Sequence, residues 1–220
     1  MTLSTAEENY LKAIFKISER SEKSASTNAI AKQLNTSAAS VTDMLKRLAE
    51  KKFINYEKYK GVTLTAEGSK KATQLIRKHR LWEVFLVKKL RFTWDQVHDI
   101  AEQLEHIQSN ELIMRLDAYL DYPKFDPHGD PIPNSDGKFT IRNQTPLSEM
   151  HKGQTGSLVG VKEHHSDFLQ YLSSLNIKLG TIISIKETMP FDRSMLVELD
   201  HKRENVITHQ VAQNLLIKKM

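Results

Sequence analysis

The texture of the chain changes once, at Tyr122, and that change limits what it can fold into. Before it, apolar residues recur at helical spacing, with one pair of short β-patterned runs between them. Residues 122–149 hold five of the six prolines and little periodicity, which reads as an extended linker. After it come short β-patterned runs at 156–162, 181–187, 194–199 and 214–218, with a helix near 165–175. The chain is therefore read as mainly α with a small β portion, ending in a β-barrel-like domain.

Composition narrows the classes. The 220 residues suffice for one large domain or two to three small ones, and the 39% hydrophobic content supports packed cores. There is no cysteine, which removes disulfides, thiolate zinc sites and cysteine nucleophiles, and fits a reducing cytoplasm. The start, MTLSTAEENYLKAIF, lacks the pattern of a signal peptide. No apolar run approaches the roughly 20 residues that span a bilayer. A cytoplasmic protein without membrane contact is expected. The net charge of +5 suits an anionic partner, though many proteins are equally basic.

The helical half begins with an expected helix at 5–20, with Thr5 as N-cap and Glu8 three residues on. A short helix at 27–35 follows. A third, capped by Ser37, runs to about Lys52 with Val41, Leu45 and Leu48 inward. Strands at 53–57 and 62–65 flank a polar turn, and helices at 66–90, 94–108 and 109–121 complete the half. Helix, short helix, turn, helix and hairpin is the order of a winged helix-turn-helix. The third helix opens Ser37-Ala38-Ala39-Ser40-Val41-Thr42-Asp43, small and hydroxyl-rich, which suits close approach to a major groove. Ser37, Ala39, Ser40, Thr42 and Lys46 are expected to face double-stranded DNA, and the wing offers Lys58 and Lys60. Asp43 repels phosphate but can accept from a cytosine amino group.

Histidines and carboxylates recur further on. His79 and Glu83 are one helical turn apart. His98, Glu102, Glu105 and His106 fall at +4, +7 and +8, one stripe of an expected helix, while Val97, Ile100 and Leu104 form an apolar face. Any one pair is more often a solvated ion pair. The set of six makes a natural seat for a cation, with nitrogen and oxygen donors suited to Mn²⁺, Fe²⁺, Co²⁺ or Zn²⁺. HExxH, the usual metalloprotease pattern, is absent.

ENYLKAIF, SAASVTDMLKRL, LTAEG, RKHRLWE, VHDIAEQLEH and PHGDPIP together resemble the diphtheria-toxin-repressor family of metalloregulators, over nearly the full length. The resemblance implies a homodimeric, metal-activated repressor of metal-uptake genes, not an enzyme, that binds a palindromic operator. It implies a winged helix-turn-helix at 1–72, a helical metal-binding and dimerisation domain at 73–121, the linker at 122–149, and an SH3-like, FeoA-type domain at 150–220. It also implies an ancillary site of His79, Glu83 and His98, and an activating site of Glu102, Glu105, His106 and Asn9. Iron-responsive members carry cysteine where Glu102 stands, and manganese-responsive members carry glutamate, which favours Mn²⁺ over Fe²⁺. Co²⁺, Zn²⁺ or Cd²⁺ are expected to substitute in vitro. Asn9 departs from the family's Asp or Met, and Lys12 stands where short manganese regulators have a second carboxylate. The ancillary site is expected to be completed by His164 and Asp167, with His165 and Glu163 as rivals. Two readings from other classes stay open: a metal-dependent hydrolase with Glu105 as base, and a winged-helix sensor of an organic ligand.

Overall fold

A computed structural model describes residues 3–21, 24–57 and 61–220. They gather into two compact units that do not follow chain order. The first comprises the described residues among 1–79, 102–110 and 133–139, and the second residues 80–101, 111–132 and 140–220.

The first unit opens with α1 (Thr5–Ser21), α2 (Thr27–Gln33), α3 (Ala38–Glu50), β1 (Ile54–Glu57) and β2 (Gly61–Leu64). The next helix, α4 (Ala66–Leu90), begins there and runs on into the second unit. The cap of α1 is Ser4, not Thr5. The Ser4 amide donates to Glu7, and the Glu7 amide to the Ser4 hydroxyl at 3.3 Å, a reciprocal capping box one residue earlier than expected. This leaves Glu8 free to face elsewhere. Ser37 caps α3 as expected, accepting from the Ser40 amide at 3.1 Å. The turn between α2 and α3 needs a left-handed residue, and Asn35 (φ 48°) supplies it. Leu11 and Ile14 of α1, Ile30 of α2, and Val41, Leu45 and Leu48 of α3 close one core over Val62. Truncating one of these leucines to alanine costs about 2–5 kcal/mol. β1 and β2 pair antiparallel from Ile54↔Leu64 to Glu57↔Gly61, and Ala25 adds a bridge to Val62. The wing tip with Lys58 and Lys60 lies outside the described residues.

The expected helix at 94–108 is shorter: α5 covers only His98–Leu104. Glu105 and His106 lie in the turn beyond it, where the Ile107 amide returns to the Leu104 carbonyl. The four-residue stripe is therefore not one helical face. His98 belongs to the second unit, and Glu102, Glu105 and His106 to the first.

The second unit carries α6 (Asn110–Tyr119, from Glu111 on) and six strands: β3 (Thr145–Pro146), β4 (Thr155–Val161), β5 (Ile182–Thr188), β6 (Met195–Leu199), β7 (Arg203–Ile207) and β8 (Leu215–Lys219). They form one antiparallel sheet in the order β3-β8-β4-β5-β6-β7. Register shifts at Leu158/Gly160 and Ile185/Glu187 bend it. α7 (Ser166–Ser174) covers its core, burying Leu169 and Leu172 among Leu158, Ile183, Val197 and Ile217. A short α8 (His209–Ala212) precedes β8. The expected linker is ordered, and it carries repeating structure only at its end, in β3 and a 3-10 turn at Leu147–Glu149. Arg142 donates to the carbonyls of Gly129 and Val159, and the Val161 amide to that of His128.

Candidate metal centres

In the first unit, charged groups from three segments meet in a largely buried cluster. His79, Glu102 and Glu105 offer ligand atoms within 4.8 Å of one another. Glu105 is fully buried and His79 is 5% exposed. His79 Nδ1 lies 2.6 Å from Glu105. From α1, Glu8 lies 2.6 Å from His106 Nδ1 and accepts from Gln108 at 2.9 Å. On the same helix, three residues before Lys12, the Asn9 amide oxygen is buried with no hydrogen-bond partner, the kind of orphaned acceptor that a cation satisfies. Lys12, one turn on from Glu8, is 5% exposed and donates to Glu102 at 2.6 Å and to both oxygens of Glu105 at 2.6 and 2.9 Å. Burial holds the Lys78 ammonium below its usual range, although the Glu8 and Glu105 carboxylates pull it up.

In the second unit, Glu83, Asp126 and His128 offer ligand atoms within 4.8 Å of one another, and all three are buried. His98 Nδ1 is 3.6 Å from one oxygen of Glu83, and His128 Nδ1 is 3.7 Å from the other. His128 Nε2 lies 2.7 Å from the Trp94 carbonyl. A proton on Nε2 leaves the Nδ1 lone pair directed into the cluster, as in a metal-ligating imidazole. His128 Nδ1 is buried without a hydrogen-bond partner. The turn itself is built by Asp126, which accepts from the amides of His128 and Asp130 at 2.8 and 2.9 Å. Arg80 pins it from α4, bonding Asp130 at 2.9 Å and reaching Asp126 at 3.5 Å. Gly129 is required here. Its φ is +89°, and a Cβ would meet the Val159 carbonyl oxygen at 2.1 Å.

Charge in this second cluster is frustrated. Burial, then the Glu83 and Asp130 carboxylates, push the Asp126 carboxyl up to about 7. Burial lowers His128, but Glu83 and Asp126 outweigh it and raise the imidazole to about 9. A buried carboxyl and a buried imidazole that both draw protons mark a seat short of positive charge. Their oxygen and nitrogen donors fit a divalent cation.

The structure gathers the expected residues unevenly. Glu102, Glu105 and His79 meet in the first cluster, with His106 Nε2 3.8 Å from Glu105, and Asn9 lies on α1 three residues before Lys12. His79 and Glu83 remain one turn apart on α4, in different units. His164 stacks on His128 with ring centroids 4.7 Å apart and lies 4.0 Å from Asp130. The Asp167 side chain is 87% exposed and lies 3.7 Å from His165 Nδ1. Glu163 accepts from the His165 amide. Asp126, His128 and Glu8 were not among the expected ligands. His128 sits in PHGDPIP and Asp126 immediately before it, in a stretch whose lack of periodicity hides their convergence. Glu8 carries only a capping signal in the sequence. On the recognition helix, Ser37, Ala39, Ser40, Asp43 and Lys46 are exposed. The Thr42 hydroxyl bonds the Ala38 carbonyl at 2.9 Å, and Lys46 lies 3.5 Å from Asp43.

Residues 2–62 match the iron dependent repressor N-terminal DNA binding domain. Residues 65–134 match the iron dependent repressor metal binding and dimerisation domain, and residues 145–219 the FeoA domain. The HTH-type transcriptional regulator MntR of Oceanobacillus iheyensis is 34% identical over 119 residues, covering 54% of this chain and 80% of that protein. The iron-dependent repressor IdeR of Mycobacterium leprae is 26% identical over 226 residues, covering 97% of this chain and 96% of that protein. Among solved structures, a manganese-dependent transcriptional repressor in complex with manganese superposes with a TM-score of 0.87 at 32% identity, covering 97% of this chain and all of the other.

Proposed function

The chain belongs to the diphtheria-toxin-repressor family of metal-dependent, DNA-binding transcriptional repressors, and from that premise we propose that it responds to Mn²⁺ and represses metal-uptake genes. The family is one of repressors, not enzymes. The observation that carries the manganese reading is the donor set. Glu102, Glu105, Asn9 and the neighbouring imidazoles offer oxygen and nitrogen, and no thiolate can join them in a chain without cysteine. Hard oxygen donors suit Mn²⁺, whereas a thiolate in the set would select later, softer ions.

Two seats are proposed. Glu102, Glu105, His106 and Asn9, with His79 against them, form the activating one. Glu83, His98, Asp126 and His128 form the other, with His164 rather than Asp167 as its contribution from the C-terminal domain. The metal-binding segment of 73–121 then extends through the turn at 126–130. A bound divalent cation supplies the positive charge that lets these carboxylates stay together.

The protein's own part is mechanical. Glu8, Asn9 and Lys12 sit on α1, whose Leu11 and Ile14 share a core with Val41 and Leu45 of α3. Fixing the polar face of α1 therefore fixes the recognition helix. In a dimer, the two recognition helices would then match half-sites about one helical turn apart in a palindromic operator. Ser37, Ala39, Ser40, Thr42, Asp43 and Lys46, with Lys58 and Lys60 of the wing, are the proposed DNA contacts. Coupling of this kind typically amounts to about 5–150-fold in DNA affinity.

The test uses a duplex selected from a random pool by Mn²⁺-loaded protein. Metal-free protein is titrated with Mn²⁺, Fe²⁺, Co²⁺ and Zn²⁺ in turn, and DNA affinity is read by fluorescence anisotropy. Switching by Mn²⁺ within its cellular free range is expected. Switching by Fe²⁺ alone would make the chain an iron regulator, and DNA binding indifferent to every metal would defeat the proposal.

A further inference from the structure

We propose that Lys12 is a tethered cation seated in the first cluster, so that a divalent ion engages Glu102 and Glu105 only by displacing its ammonium group. This deepens the proposed function and rests on its reading of that cluster as a metal seat.

Three observations carry it. The ammonium occupies the position a metal ion needs. It lies 2.6 Å from Glu102 and 2.6 and 2.9 Å from the two oxygens of Glu105, with His79 Nδ1 at 3.4 Å. These are the same three side chains whose ligand atoms converge within 4.8 Å. Second, the ammonium is buried, and Glu105 is fully so. A lysine head ordinarily stays in water, and one withdrawn from it needs close carboxylates as compensation. Third, Asn9, on the same helix, keeps a buried amide oxygen without a hydrogen-bond partner. Lys12 satisfies the two carboxylates but not this neutral acceptor, which a divalent ion with several coordination positions can use.

An ammonium and a divalent ion cannot share this space, because their repulsion at such distances in a poorly hydrated interior exceeds what the remaining donors return. The lysine has a four-carbon stem and can swing its charge out toward solvent. Two consequences follow. The metal-free cluster is already neutralised in part, so it does not fly apart when metal is scarce. The metal affinity is also set by competition, which raises the concentration at which the switch responds.

The experiment compares the full-length protein with Lys12→Met. Calorimetry with Mn²⁺ is read at the binding event that Glu102→Gln abolishes. Lys12→Met is expected to bind at least about tenfold more tightly. A folded Lys12→Met that binds Mn²⁺ equally or more weakly would overturn the inference while leaving the metal seat intact. If neither protein shows an event sensitive to Glu102→Gln, the metal seat and the inference fall together. Should Lys12→Met not fold, the wild-type protein decides. Lys12 acylation by an amine-reactive ester, followed by mass spectrometry, is expected to rise several-fold on saturation with Mn²⁺. Unchanged labelling at saturation would show that the ammonium stays where it is.

Discussion

Replacing Glu105 by glutamine removes one charge from a fully buried position while keeping its shape. In the metal-free protein Glu105 accepts from Lys12 at 2.6 and 2.9 Å and lies 2.6 Å from His79 Nδ1. Breaking a buried ion pair by removing one partner costs about 3–5 kcal/mol. Glutamine keeps one carbonyl to accept from Lys12, and Glu102 remains as a second partner, 34% exposed at its side chain. The expected loss is therefore smaller, about 2–4 kcal/mol, since each charge-assisted bond is worth roughly 1.5–3 kcal/mol. For a chain of this length that lowers the melting temperature by about 4–16 °C. The assay is thermal unfolding by circular dichroism in chelator, repeated with excess Mn²⁺. Wild type should gain stability from the ion, and Glu105→Gln should gain little because a ligand has gone. A metal-free variant melting within about 1 °C of wild type would refute the reasoning, since Glu105 would then not hold Lys12 in place.

Other consequences concern the second cluster and the DNA face. Asp126, pushed up to about 7, and His128, raised to about 9, both hold protons more tightly than in the unfolded chain. Stability of the metal-free protein conferred by these protons is full at low pH and is lost as pH rises through those values. Mn²⁺ affinity at this cluster should correspondingly rise between pH 6 and 8, by up to about tenfold per unit for each proton displaced; a flat calorimetric profile would contradict it. Gly129→Ala places a methyl 2.1 Å from the Val159 carbonyl oxygen at a φ of +89°. It should cost about 2–4 kcal/mol and loosen metal at Glu83 and His128 while sparing the first cluster, and equal losses at both would disprove the separation. Lys46→Ala should weaken DNA binding across sequences and reduce the salt slope by about one, with metal affinity unchanged. A slope equal to wild type would take Lys46 off the phosphate backbone.

Much of this architecture was legible in the sequence because it is periodic. Val41, Leu45 and Leu48 announced the recognition helix, and Ser37 its cap, since both signals are local. The hairpin and most of the C-terminal strands followed from alternation. β7 escaped because Arg203–Ile207 lies at the end of the sheet order, with its side chains partly exposed along most of its length. The candidate site was only half legible. Spacing placed Glu102 with Glu105 and His106, but it assumed a continuous helix where the chain turns after Leu104. His128 and Asp126 were invisible for a different reason. They come from an irregular segment whose shape depends on Arg80, Arg142 and the Val161 amide, all distant in sequence. In the sequence Lys12 shows only as a missing carboxylate. Its seat between Glu102 and Glu105 is a tertiary fact with no local signature.

Diffraction from crystals grown with Mn²⁺, collected on either side of the manganese absorption edge, addresses the metal seats directly. An anomalous peak is expected within bonding distance of Glu102, Glu105 and His106, with a second beside Glu83 and His128. Difference maps empty at both places in a saturated crystal would mean that these buried acids and imidazoles serve packing alone.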